Sequence, residues 1–315
     1  MDLDINTVRV ARTRADCVLR PGEAYLGGGT FLYSEPVPAG VTGLVDLTGL
    51  GWEPWSVDGS GLRVAGTCTL EELVSGPGSL GGSPGAPGAQ GPYRALGIVR
   101  DCVSALTLSP KVARTATVGG NLALGLPAGS MAGLFAALDA VAVVWTPVGG
   151  SREVPVSALV TGAGLVGLAP SEVLREVRVP AAALGQRTAF RRAALTPNGR
   201  TAAMVTGRTP SSGGGVPSRV LLVLTASVPA PVVVEVAPGE HGELDRLIDG
   251  IGAVGTDAVG TDGTGTDGLG ADAVGADAVG ADAGWYEDTH GTPAWRAAMT
   301  RRLAHEVLDE LGGGV

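Results

Sequence analysis

Three consecutive glycines, Gly27, Gly28 and Gly29, sit between apolar residues in the run Leu26 to Leu32. Such a run fits neither a helix interior nor a central strand. It marks a break where the backbone is free to take positive φ and to come close to another group. A tight turn satisfies that pattern, and so does a nest of amide N–H groups around an anion, with the Thr30 hydroxyl as a further donor. A second cluster, Thr117-Val118-Gly119-Gly120-Asn121-Leu122, follows about 90 residues later and leads through Pro127-Ala128-Gly129-Ser130 into an apolar stretch. Two such loops suggest a large ligand held between two subdomains. A third cluster, Gly162, Gly164 and Gly167, spells GxGxxG. Pro170 follows three residues on, and the place where a dinucleotide fingerprint needs an acid offers Arg187, Arg191 and Arg192 instead, so it reads as a chance match.

The 315 residues are 44% hydrophobic, enough to bury a core over about two domains. The net charge of −9, the lack of a basic run and an aromatic content of only 4% argue against a nucleic-acid partner. Cys17, Cys68 and Cys102 form no CxxC pair, which excludes a self-contained four-cysteine cluster or zinc ribbon and points to a reducing compartment. The opening MDLDINTVRV has no apolar run of a signal peptide. The longest apolar stretch, Val220 to Val234, contains Pro229 and Pro231 and is too short to span a membrane. A soluble cytoplasmic chain is expected.

Two stretches interrupt the body. Ser75 to Pro92 holds seven glycines and four prolines and reads as a surface loop without helix or strand. From Ala253 to Asp282 aspartate recurs every five residues and supplies six of the nine net negative charges. The regular carboxylates and glycines resemble a calcium site, but the calcium β-roll repeat has nine residues and a period of five fits neither helix nor strand; a disordered insertion is expected. Elsewhere the pattern is mixed. Strands are expected at Val41–Leu47, Gly61–Gly66, Ala140–Trp145 and Val220–Ala226, and helices at Thr69–Val74, Ala95–Leu108, Met131–Leu138 and Ala294–Leu311. The last helix would put Trp295, Met299, Leu303, Val307 and Leu311 near one face, with Gly312 closing it. His241, His290 and His305 are scattered and read as solvated or capping residues, and Glu71 and Glu72 as first-turn helix charges.

GGGTFL followed by TATVGGNLALGLPAGSMAGLFAALDA resembles the FAD-binding, or medium, subunit of molybdenum hydroxylases, the carbon monoxide dehydrogenase and xanthine dehydrogenase family. In that family the loops read AGGTDL and TIGGNL, followed by PAGD and LLALDA. VAGTCTLEEL at Val64–Leu73, the Leu168-Ala169-Pro170-Ser171-Glu172-Val173-Leu174 run and the closing helix extend the likeness over nearly the whole chain. The resemblance implies an α+β fold: a two-subdomain FAD domain of the vanillyl-alcohol-oxidase (PCMH) type over residues 1–60 and 61–180, and a smaller C-terminal α/β domain over 185–312. It implies that Gly27, Gly28, Gly29, Thr30, Phe31 and Leu32 wrap the FAD phosphates, with Thr117, Val118, Gly119, Gly120, Asn121 and Leu122 opposite. Ser130, Leu168 and Arg191 complete the implied site, Arg191 standing for a family lysine near the flavin ring. Molybdopterin and iron–sulfur clusters are implied on a large and a small partner subunit, with NAD or a quinone as electron acceptor.

Three departures bear on the cofactor. Phe31 and Ser130 replace family aspartates, and Ala113-Arg114 replaces an arginine–asparagine pair, although Arg114 keeps a cation nearby. Two other readings stay open at this point: a stand-alone flavin-dependent reductase of the same fold, and a degenerate scaffold subunit without flavin. No side chain stands out as a catalytic acid or base.

Overall fold

The computed structural model describes residues 5–34, 38–82, 91–210, 217–253 and 284–313; the acidic repeat lies outside the described residues. The chain forms three main sheets in sequence. In the first, β1 (Thr7–Val10), β2 (Glu23–Leu26) and β3 (Gly43–Asp46) are parallel in the order β1-β3-β2. Leu44 and Val45 fill its centre, and Asp46 ends β3 by accepting from the Thr48 N–H at 2.9 Å. The expected Val41–Leu47 strand is therefore shorter at both ends.

Across this sheet the Arg9 guanidinium donates to both carboxylate oxygens of Glu23, at 2.8 and 2.7 Å. These bonds pull the Glu23 pKa down from 4.5 to about 2. A lowered carboxylate pKa stabilises the fold above the unfolded value and loses that stabilisation as the pH falls through the folded one. Stability is thus expected to drop between pH 4.5 and about 2, and Glu23→Gln should flatten that part of a urea-midpoint-versus-pH curve. An unchanged curve in the variant would remove this pair from the acid response.

The second sheet is antiparallel in the order β4-β5-β10-β6-β7, built from β4 (Trp55–Asp58), β5 (Gly61–Ala65), β6 (Val141–Trp145), β7 (Ser151–Pro155) and, after a small β8 (Val160–Gly162) and β9 (Leu165–Val166) hairpin, β10 (Val173–Pro180). The expected boundary at residue 60 falls inside the β4–β5 hairpin, so β4 belongs to this sheet. GxGxxG is the β8–β9 hairpin, with Gly164 in its turn at φ +72° and no helix after it. The helices Leu70–Ser75, Val99–Ser104, Val118–Leu124 and Ser130–Ala137 pack on the sheet and share the largest core. Thr69 and Glu72 close a capping box at the first of them, which fits their spacing.

Two local expectations fail here. Pro77–Leu80 forms a helical turn with Pro77 at its first position, where the missing N–H costs nothing. It is held by close packing: a Cβ on Gly81 would lie 2.2 Å from Gly97 N. The expected Ala95–Leu108 helix is broken into a 3-10 turn at Arg94–Ile98 and the helix Val99–Ser104, and the chain leaves it with Thr107 at φ +53°.

The third sheet is an antiparallel meander of β11 (Thr188–Ala193), β12 (Ala203–Arg208), β13 (Val220–Thr225) and β14 (Val232–Val236). All residues of β12 and β13 are buried, because both faces are covered. The helices His241–Ala253 and Pro293–Gly312 lie on one face. On the other, Ala136 and Ala137 of the second sheet's last helix meet Leu221 and Val223, and Thr206 donates to the Gly133 carbonyl at 2.9 Å. The final helix starts at a Thr292 cap and includes Gly312. Its buried face runs through Arg296, Thr300, Leu303, Val307 and Leu311, which leaves Trp295 and Met299 at the margin rather than the centre. His241 and His305 come together between the two helices, ring centroids 4.8 Å apart, paired with Asp309 and Asp245 at 3.0 and 2.9 Å. No helix among the described residues is long and apolar enough to cross a membrane.

Candidate functional site

The two glycine loops meet. A Cβ on Gly28 would lie 1.6 Å from the Thr115 carbonyl oxygen, and one on Gly27 would lie 2.9 Å from Thr117 Oγ1. Only glycine lets the end of β2 approach the 115–117 backbone this closely. Beside this contact opens a cleft of about 600 Å³, lined by Gly27 to Leu32, by Thr117, Gly120 and Asn121, and by Leu106, Leu108, Leu124 and Leu126. Its size and largely apolar wall with a few polar groups are those of a cofactor site.

The two loops contribute differently. Among the described residues the amides of Gly28, Gly29 and Thr30 make no hydrogen bond, so three successive donors line the cleft without a protein partner. The amides of the second loop are committed. Val118 N–H donates to the Cys68 carbonyl at 2.9 Å, Gly119 to Gly66 at 2.8 Å, and Gly120 to Thr117 Oγ1 at 3.0 Å. Those bonds stitch the Val118–Leu124 helix to the chain after β5. The free donors therefore belong to the first loop, and the second supplies a wall that includes Thr117 and Asn121. An anionic, elongated cofactor such as FAD fits these residues: free amides for a diphosphate on one side and apolar surface for a ring on the other.

The remaining residues picked from the sequence are placed away from the cleft. Val118, Gly119 and Leu122 are buried beneath it. Ser130 is 1% exposed and donates its hydroxyl to the Cys102 carbonyl. Leu168 packs on the main core. Arg191 reaches Glu306 and Glu310 of the final helix at 3.3 and 2.8 Å, and Arg114 pairs with Glu71 at 3.0 Å. Neither lines the cleft; the charged side chain that does is Arg200, from the connection between β11 and β12. No local motif marks Arg200, because its connection joins the cleft only through the packing of the third sheet. Tyr25 also lines the cleft. Its hydroxyl lies 2.6 Å from the Cys17 carbonyl and 3.0 Å from that of Ser171, and burial pushes its pKa up to about 12, so it bridges the first two sheets in its neutral form.

The sequence profile described as "FAD binding domain in molybdopterin dehydrogenase" matches residues 19–182, a span that holds both loops and every wall of the cleft except Arg200. The whole chain superposes on a chain of reconstituted CO dehydrogenase from Oligotropha carboxidovorans with a TM-score of 0.72 at 19% identity, covering 100% of both. Carbon monoxide dehydrogenase from Hydrogenophaga pseudoflava gives 0.69 at 20% identity over 98% of this chain and 97% of that one. Quinoline 2-oxidoreductase from Pseudomonas putida 86 gives 0.67 at 18% identity over 98% of each chain. At these identities the likeness establishes the fold. No curated protein sequence matches the chain significantly. With a profile that takes in both loops and a cleft suited to the cofactor, the chain belongs to the family of FAD-binding domains of molybdopterin dehydrogenases.

Proposed function

We propose that this chain is the FAD-carrying electron-transfer subunit of a molybdenum-containing hydroxylase or dehydrogenase. Electrons arrive from iron–sulfur clusters on a small partner subunit and leave to an acceptor such as NAD or a quinone, while a large molybdopterin subunit oxidises the substrate. The observation that carries this reading is the convergence of the two glycine loops on one cleft with unpartnered amides.

When bound, FAD supplies the redox chemistry. The chain's own work is to bind, orient and shield. Gly28, Gly29 and Thr30 hold the diphosphate through their N–H groups; Gly27, Phe31 and Leu32 continue that edge. Thr117, Gly120 and Asn121 face it, and the leucines of the wall keep water from the ring. Val118, Gly119, Leu122, Ser130 and Leu168 act by supporting the wall. Each of the three sheets, with its helices, forms one domain or subdomain of this arrangement. Cys17, Cys68 and Cys102 are buried free thiols.

The test is a titration of the purified full chain with FAD, followed by flavin absorbance, and isolation of the chain from its source. The expected result is about one FAD per chain, accompanied by a large molybdenum subunit and a small iron–sulfur subunit. A chain that carries FAD but no partners supports the stand-alone reductase. A colourless chain that takes up no FAD even with its partners leaves the scaffold, a reading favoured by the Ser130 hydroxyl being turned onto Cys102.

A further inference from the structure

We propose that Arg200 supplies the positive charge that receives an anionic group of the bound dinucleotide, so that the third sheet completes the cofactor site; this rests on the cleft being the FAD site. Among the described residues that line the cleft, Arg200 carries the only charge. FAD brings at least its diphosphate charges into that cleft, and its ring gains a further negative charge when reduced and deprotonated. Neutral amides solvate an anion but do not cancel its charge, and a guanidinium does both.

The neighbouring arginines are all committed elsewhere. Arg191 is paired with Glu306 and Glu310. Arg192 folds over its own loop, donating to the Pro197 carbonyl at 2.9 Å and to Thr201 Oγ1 at 3.1 Å. Arg296 is buried beneath and bonded to the Ala202 carbonyl at 2.6 Å. Arg200 itself is exposed and makes no ion pair or hydrogen bond among the described residues.

The backbone that follows it is nonetheless anchored. Thr201, 2% exposed, donates to the Ala105 carbonyl at 2.7 Å, which ties the loop to the 105–108 segment of the cleft wall. Ala202 N–H closes the loop onto Ala193 at 2.9 Å. A cation carried at the cleft by an anchored backbone, with no bond of its own among the described residues, is free to meet a ligand.

The experiment compares wild-type chain with Arg200→Gln, Arg200→Lys and Thr201→Val, measuring the Kd for oxidised FAD at low and high salt and the midpoint potential of the bound cofactor. If the diphosphate is the partner, Arg200→Gln weakens oxidised FAD by on the order of tenfold to a hundredfold, and the salt dependence of Kd becomes shallower. If the reduced ring is the partner, the Kd for oxidised FAD holds, and the preference for the reduced form falls about tenfold, a drop of about 30 mV for two electrons. Either result supports the proposal when Arg200→Lys stays close to wild type and Thr201→Val gives a smaller change in the same direction. Arg200→Gln indistinguishable from wild type in both Kd and potential overturns it while leaving the FAD site intact. A wild-type chain that binds no FAD overturns both readings.

Discussion

Replacing Gly28 with alanine is expected to raise the Kd for FAD by at least about a hundredfold, the loss of two or more charge-assisted hydrogen bonds at about 1.5 kcal/mol or more each. The added methyl carbon would lie 1.6 Å from Thr115 O, 2.5 Å from Thr115 C and 3.1 Å from Ala116 N. All three are backbone atoms, so no side-chain rotation relieves the clash, and the 27–30 loop has to withdraw from the 115–117 segment. That movement takes the unpartnered amides of Gly28, Gly29 and Thr30 away from the opposite wall. Gly59→Ala is the matched control, because a Cβ there meets nothing within 4 Å. Fluorescence titration with FAD measures the effect, and circular dichroism checks that the variant is folded. A folded Gly28→Ala chain that binds FAD like wild type would move the site away from the meeting of the loops.

Arg296→Ala is expected to cost about 3–5 kcal/mol of stability and to lower Tm by about 4–8 °C. This side chain is 1% exposed. It pairs with Asp288, donates to the Ala202 and Ala226 carbonyls at 2.6 and 2.5 Å and to Gly291 at 3.0 Å, and its guanidinium lies 5.2 Å from the Tyr286 ring centroid. Burial lowers its pKa and Asp288 counters that, so the charge is retained by a satisfied network rather than by water. Removing the guanidinium strands three carbonyl oxygens and the Asp288 carboxylate with few replacements, the costly side of a buried hydrogen bond. Arg296→Lys keeps the charge but cannot reach every acceptor from one nitrogen, so a loss between those of wild type and Arg296→Ala is expected. Differential scanning calorimetry on the full chain measures both. A Tm shift of less than about 2 °C for Arg296→Ala would show that the network contributes little to stability.

The two variants also separate what the linear sequence encodes from what it does not. Gly28 was legible because a triple glycine has one physical meaning, a backbone that must bend or be approached, and because its family pattern is contiguous. Arg296 was not. The spacing of the final helix marks an apolar face through Met299, Leu303, Val307 and Leu311, and an arginine one residue from Trp295 reads as a solvent-side charge until Asp288, Ala202 and Ala226 are seen around it.

What the sequence alone determined is local or periodic: the two glycine loops, the short helix after Thr69, the apolar strands β3, β5, β6 and β13, and the last helix. Each rests on steric or hydrogen-bonding rules that act within a few residues. The tertiary structure decided which groups are left free. It committed the Gly119 and Gly120 amides to Gly66 and Thr117, turned the Ser130 hydroxyl onto Cys102, and drew Arg191 to Glu306 and Glu310. It brought His241 beside His305 and set Arg200 at a cleft built by another sheet. Apart from the local Gly120–Thr117 cap, these outcomes depend on partners tens to more than a hundred residues away, so no short pattern encodes them: side-chain type says what a group can bond to, and only the packed chain sets which partner arrives.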